Sequence, residues 1–343
     1  MRAMAVVDYK APLELLDLPV PARQPGMVLI RILTCGVCYS DYKTAHGRMA
    51  YSPTLKLPHV PGHEICGEVV EAGPEAGFRT GERVIVYNYW SCGRCALCRM
   101  GQENLCENLQ GWVGFTTPGG FEEYLAVPSE RLLRLPDGIT PEQAAPTSCS
   151  LGTSYRAVVT RAQARPGQIV VVQGVGGVGL NSVQVARAAG ARVLAVDIDR
   201  KHLEVAVKLG ADGGALAGEP ARALVSKFTS GLGADAVIDT VGHEESLHEA
   251  AMMTRRGGRV VGVGYIVGGF AKIQTDDYVL REVEFVGSRY VQRHELERAI
   301  QMLASGEVQN VVDDVLPLQD VNEAFTRLEQ GKVIGRTVLR VAN

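Results

Sequence analysis

The chain has 343 residues, 46% of them hydrophobic and 21% charged, an ordinary globular composition with length for about two domains. A formal charge of −3 and a pI near 6.2 exclude the basic footprint of a nucleic-acid-binding protein. The 21 uncharged residues from Pro166 to Ala186 hold five glycines, which excludes a membrane span there. The N-terminus leads into no apolar run of signal-peptide length, so the eight cysteines are expected in the cytoplasm, where metal ligation is favoured over disulfides.

Residues 1–150 are rich in short β-patterned runs broken by Gly and Pro, such as Met27 to Leu33 and Glu82 to Tyr87. They predict an antiparallel, partly barrel-shaped domain. Within it, Cys92, Cys95, Cys98 and Cys106 are spaced C-x2-C-x2-C-x7-C. Four thiolates this close complete a tetrahedral zinc shell with no open position, which makes the site structural. In an exported chain the same four would read as two disulfides.

Near Gly152 the texture changes. Gln168 to Gln173 and Arg192 to Val196 read as buried strands, with a helix from Gly177 to Ala189 between them. Ala236 to Ile238 and Arg259 to Val263 predict further strands separated by helical patterns, and Glu284 to Gly287 the last. Alternating strands and helices predict a doubly wound parallel sheet. The strand Thr337 to Val341, with no helix after it, is expected to return to the first domain.

The first strand of that sheet runs into Gly174-Val175-Gly176-Gly177-Val178-Gly179, G-x-G-G-x-G, and then a helix. Gly174 permits the tight turn, Gly176 lets the backbone approach a pyrophosphate, and Gly179 lets helix and strand pack closely. Asp197 ends the second strand, 18 residues beyond Gly179. Its carboxylate would accept hydrogen bonds from a ribose diol and repel a 2′-phosphate, which favours NAD over NADP. The alternative for Asp197 is a helix cap with no ligand.

Cys38, His63-Glu64 and Cys149 remain, beside Cys35 and Cys66. Two thiolates and an imidazole on zinc leave a fourth position open for substrate. Their separations of 25 and 86 residues do not establish such a site. The motifs together do carry a resemblance: G-V-C-x-S-D at 36–41, G-H-E at 62–64, the cysteine quartet, A-A-P-x-x-C at 144–149, G-x-G-G-x-G, Asp197 and G-R at 335–336. Over essentially its whole length the chain resembles the zinc-dependent medium-chain alcohol dehydrogenases.

That resemblance implies a GroES-like catalytic domain over 1–150 with both zinc sites, a Rossmann NAD-binding domain over 151–288, and a return to the catalytic domain over 289–343. It implies two zinc ions per chain. Cys38, His63 and Cys149 would bind the catalytic one, with Asp41 on the free ring nitrogen of His63 and Glu64 nearby. Cys149 favours the alcohol dehydrogenases over polyol and threonine enzymes that carry Glu at this point. Ser40 would take the alcohol proton, Thr153 and Val263 would meet the nicotinamide, and Arg336 the pyrophosphate. Cys35 and Cys66 match no ligand and read as buried small hydrophobes.

Tyr39 stands where the family often has a base at the pyrophosphate, Lys43 where it has a relay histidine, and His202 where it has a ribose lysine. Tyr51 and Tyr87 stand at pocket-lining aromatic positions, whereas His46 and His59 are expected to be structural. The reaction implied is hydride transfer between a primary or secondary alcohol and NAD. The alternatives are a polyol or sugar dehydrogenase of the superfamily, or a zinc-free enoyl or quinone reductase. The short spacing of 42 residues between Cys106 and Cys149 resembles the homotetrameric microbial form, with small-molecule substrates and neither nucleic acid nor membrane as partner.

Overall fold

The computed structural model describes residues 1–342. The chain divides into two compact units. One comprises residues 1–149, 292–305 and the chain from 310 onward; the other comprises 150–291 with 306–309. No helix among the described residues is long and apolar enough to cross a membrane.

The first unit is built on a seven-stranded sheet around Met27–Val37. This strand is apolar at almost every position because both its faces are covered. It pairs antiparallel with Glu64–Ala72 along one edge. On its other edge Tyr124–Pro128 covers the first half and Arg336–Arg340 the second. Register shifts after Leu29 and Ile32 bend the strand and bring the sheet toward closure.

The register sets three strand ends side by side. Gly36 opposes Glu64 and Val37 opposes Thr337. Cys38 therefore leaves the central strand beside His63-Glu64 and beside Arg336. Gly36 is required here, since a Cβ at this point would lie 2.2 Å from Glu64 Oε2.

One pairing departs from the antiparallel expectation. Val312–Pro317 runs parallel to Arg336–Arg340, and helix Val321–Glu329 connects them. Asp313 and Asp314 break the apolar pattern of the first of these strands and conceal it in the sequence. Both pair with Arg327 of the connecting helix, at 2.8 and 2.5 Å.

The second unit holds six parallel strands in the order Gly213–Leu216, Arg192–Asp197, Ile169–Gln173, Ala234–Asp239, Thr254–Gly262 and Glu284–Gly287. This is the dinucleotide-binding order, reversing between its first and fourth strands in sequence, and it bears out the doubly wound α/β expectation. Val171, Leu194, Val237 and Val260 form its buried centre. The edge strand Gly213–Leu216 escaped sequence reading because two glycines replace its β-forming side chains.

Glu122, bridged to Ala3 in the first unit, is only 2% exposed. Burial lifts its carboxyl to about 8, against about 4.3 for a free glutamate. The folded state thus favours the protonated acid. Its contribution to stability is complete below about pH 4 and is lost as the pH rises to about 8. Glu122→Gln should therefore raise the melting temperature relative to the parent at alkaline pH and leave acid stability nearly unchanged. Parallel pH profiles of parent and variant in thermal melts would show that Glu122 is solvated.

Candidate catalytic metal centre and cofactor site

Cys38, His63, Glu64 and Cys149 bring one ligand atom each to within 4.8 Å of one another. Asp41 organises them. Cys38 caps the short helix Tyr39–Ala45, which places Asp41 three residues on and facing back. Its Oδ2 accepts the Cys38 backbone N–H at 2.9 Å. Its Oδ1 accepts the Gly62 N–H at 3.2 Å and bonds to His63 Nδ1 at 2.7 Å. With Nδ1 used in this way, Nε2 is the nitrogen left to ligate.

The carbonyl of His63 is held in turn by Asn88 Nδ2 at 3.2 Å and Ser148 Oγ at 3.4 Å. Ser148 thereby ties the segment carrying Cys149 to the segment carrying His63. Gly62 has a φ of +98°, and a Cβ on it would lie 2.6 Å from the Phe121 ring. Phe115 packs on the His63 ring with centroids 4.5 Å apart, and Trp112 and Tyr51 extend that aromatic wall.

The electrostatics suit a cation. A hydrogen bond from Cys149 holds the Cys38 thiol well below its ordinary pKa, against burial and with help from Arg336 and His63. The same shared proton, with burial, raises Cys149. Burial opposes charge on His63, but the Asp41 carboxylate outweighs it and raises the ring's pKa. Burial lifts Glu64 to about 7 against the charge of Arg336. Arg336 Nε lies 3.0 and 3.2 Å from the two Glu64 oxygens, and Nη2 lies 3.6 Å from Cys38 Sγ. Two thiols and an imidazole converge here while Glu64 is turned to Arg336, so the donor set fits zinc with three protein ligands and one position open.

The cysteine quartet is the second cluster, again within 4.8 Å. Cys92 and Cys98 sulfurs are 4.0 Å apart, as are those of Cys95 and Cys106, close to the ~3.8 Å edge of a tetrahedron with Zn–S bonds of about 2.3 Å. No cysteine is in a disulfide. Backbone N–H donors from Cys98 and Glu107 pull the Cys95 thiol down to about 6. The lobe is latched by Glu103, which accepts the Arg293 backbone N–H at 2.7 Å and lies 3.9 Å from Arg131.

In the second unit, Gly174 has a φ of +83°, and a Cβ on Gly179 would sit 1.9 Å from the Gly174 carbonyl oxygen. Space above Gly176 is open, so the turn can receive a phosphate against the N-terminus of helix Gly177–Ala188. The Gly177 and Val178 carbonyls are tied to Ser150 and Ser154 hydroxyls. Asp197 Oδ2 accepts the Val175 N–H at 2.7 Å, and Oδ1 the Asp199 N–H at 3.0 Å. Burial opposes its ionisation, but these donors and His202 prevail and lower its pKa. Thr153 is buried in helix Ser150–Tyr155, and the Val263 N–H donates to the Asp239 carbonyl at 2.8 Å.

Residues 24–137 match the alcohol dehydrogenase GroES-like domain and residues 177–305 the zinc-binding dehydrogenase domain. An alcohol dehydrogenase of Geobacillus stearothermophilus is 37% identical, covering 99% of this chain and 100% of its own. This chain belongs to the zinc-dependent medium-chain alcohol dehydrogenase family. An NAD-dependent alcohol dehydrogenase of Sulfurisphaera tokodaii is 35% identical over 99% of each chain. The crystal structure of the Aeropyrum pernix alcohol dehydrogenase has a TM-score of 0.92 at 32% identity, covering 99% of this chain and 100% of that one.

The structure also gives partners to other residues singled out in the sequence. Arg336 is buried, with its guanidinium on the Glu64 carboxylate and 3.6 Å from Cys38 Sγ. Tyr87 interacts with Glu103 of the cysteine lobe and is fully buried, so it belongs to that lobe. Tyr51 bonds to Thr44, whose own hydroxyl donates to the Ser40 carbonyl. Burial lowers the pKa of Lys43 against the pull of Cys38, and its ammonium lies 5.3 Å from the Tyr39 ring centre. His46 and His59 bond to the Tyr42 and Gly114 carbonyls. Sequence reading missed Asn88 and Ser148 as supports of His63, and Phe115 on its ring. No local motif marks them.

Asp41 accepts from two backbone N–H groups as well as His63, and an amide could offer only one oxygen to these donors. Asp41→Asn should weaken zinc binding about 10–100-fold, measured by competition with a chromophoric chelator. Unchanged affinity would mean that the carboxylate does not orient the ligands.

Proposed function

We propose that this protein is an NAD-dependent zinc alcohol dehydrogenase that interconverts primary or secondary alcohols with aldehydes or ketones. The observation that carries the reading is the convergence of Cys38, His63 and Cys149, with Asp41 on His63 Nδ1 and a family match across the whole chain. Cys38, His63 and Cys149 hold a catalytic zinc, and Cys92, Cys95, Cys98 and Cys106 a structural one. When bound, zinc supplies Lewis acidity toward the substrate oxygen and NAD supplies the hydride acceptor.

The chain's own residues do the rest. Asp41 fixes the tautomer and aim of His63. Ser40, on the helix begun by Cys38, accepts the alcohol proton and passes it outward. Glu64 and Arg336 form a buried pair beside the Cys38 sulfur. Gly174, Gly176, Gly177, Val178 and Gly179 seat the pyrophosphate, while Asp197 and His202 face the adenosine ribose. Thr153 and Val263 meet the nicotinamide. Residues 1–149, 292–305 and the chain from 310 onward serve as the catalytic domain, and 150–291 with 306–309 as the cofactor domain.

A homotetramer is the assembly we assign. Phe270, Tyr278, Val279 and Leu280 are at least 60% exposed, and the strand Glu284–Gly287 pairs along one edge only. Such an edge beside apolar surface favours a second copy. Eight cysteines without a disulfide suit a reducing cytoplasm.

Native mass spectrometry should find two zinc ions per chain; one or none would overturn the double-site reading. Cys98→Ser should lower the melting temperature while catalysis by the remaining folded protein persists. If it instead abolished turnover at unchanged stability, the quartet would not be structural.

Ser40→Ala should lower kcat by roughly 10²-fold while zinc content and NADH affinity stay at the parent's values. A kcat within twofold of the parent would exclude Ser40 from the proton path.

A further inference from the structure

The helix that carries Asp41 is too short to hold its own orientation. Tyr39–Ala45 has seven residues, about two turns, and a helix of that length has little stability of its own. The Asp41 carboxylate bonds to Cys38, Gly62 and His63, which fixes one side of the helix. A hold on a second face is needed to stop the helix from rocking about that side.

Tyr42 supplies this hold. It follows Asp41 and so projects about 100° further round the axis. It is only 3% exposed, and its hydroxyl donates to Glu329 Oε1 at 2.5 Å, the short and strong form of a hydroxyl on a carboxylate. The bond to Glu329 raises the pKa of the phenol, so the hydroxyl remains a donor at physiological pH. The ring is clasped as well. Tyr39 and His46 stack on it with centroids 5.4 and 4.0 Å away, and Phe325 meets it edge-on at 5.8 Å. Thr44 adds a more local tie, a bond at 2.8 Å to Tyr51, seven residues on.

The far end of the Tyr42 bond is a firm point. Glu329 closes helix Val321–Glu329, which buries Val321, Ala324 and Phe325. Asn322 exchanges two hydrogen bonds with the Leu13 backbone, each at 2.9 Å, and Arg327 pairs with Asp313 and Asp314. Glu329 itself is an exposed residue, 287 positions beyond Tyr42 in sequence.

We propose that the Tyr42–Glu329 hydrogen bond is the outer anchor of the catalytic metal centre: it sets the orientation of helix Tyr39–Ala45 and, through it, the aim of Asp41 at His63. Tyr42 and Glu329 are positioning residues that act through Asp41. The proposal rests on the reading of Cys38, His63 and Cys149 as a zinc site.

Zinc release from the loaded protein to a chromophoric chelator tests this, with the ion of the cysteine quartet as internal reference. The release phase absent from His63→Ala is that of the catalytic ion. Tyr42→Phe keeps the ring and its stacking and removes only the hydroxyl. It should speed the catalytic phase roughly tenfold and leave the quartet phase at the parent's rate. Glu329→Ala, a surface substitution, should do the same, whereas Glu329→Gln keeps an acceptor oxygen and should restore most of the parent's rate. Tyr42→Phe with Glu329→Ala should be no faster than either alone, because both break one bond. Amide hydrogen exchange over residues 39–45 of the loaded protein should quicken in both single variants. Acceleration of both zinc phases together, the mark of a generally weakened fold, would overturn the proposal. So would additive rates in the double variant, or a catalytic phase at the parental rate in Tyr42→Phe. A parent that loads zinc at the quartet alone would refute the zinc-site reading and the proposal with it. Quickened exchange over 39–45 with parental zinc release would refute the proposal alone.

Discussion

A single carboxylate joins the parts of the metal centre. Asp41 has no exposed surface and accepts from Cys38, Gly62 and His63, three donors from two chain segments. A buried carboxylate without such donors would be costly. With them, it becomes the point from which the ligand positions are measured. The loop entering Cys38 and the loop entering His63 cannot shift independently, because each contributes a backbone donor to the same group. Ring orientation, ligand spacing and the turn at Gly62 all follow from that constraint.

The register of three strands delivers these groups. Cys38 follows one strand, His63 precedes its antiparallel neighbour, and Arg336 opens the strand on the other edge. A one-residue slip would turn the ligands to the opposite face. Gly36 secures the register by leaving room for Glu64. The buried Glu64–Arg336 pair is weak support for stability in itself. Its place beside Cys38, with Arg336 Nη2 3.6 Å from the sulfur, lets it set the charge around that sulfur.

In the cofactor unit the same economy ties the acid to the turn. Asp197 accepts the N–H of Val175, inside the glycine-rich loop. The acid that ends the second strand therefore also holds the glycine-rich loop, and substitutions at Asp197 act on that loop as well. At the neighbouring strand end, Asp239 accepts from Val241, Gly242 and Ser246 and shapes the opposite side of the switch point.

Much of this was legible in the chain alone. The glycine spacing, the acid beyond it and the cysteine quartet are local patterns whose chemistry depends on residue type and short separation. Apolar periodicity was enough for the parallel sheet. Val312–Pro317 and Gly213–Leu216 were hidden because charge and glycine interrupt their patterns, although both are stabilised by neighbours distant in sequence. The catalytic cluster was reached through resemblance, since its ligands lie far apart and nothing local says that they meet. Only the folded sheet decided that Arg336 serves Glu64, that Tyr87 serves the cysteine lobe, and that Asn88, Ser148 and Phe115 support His63. Those assignments depend on which strand ends lie side by side and where side chains are buried, and these are properties of long-range register that residue type and short spacing do not encode.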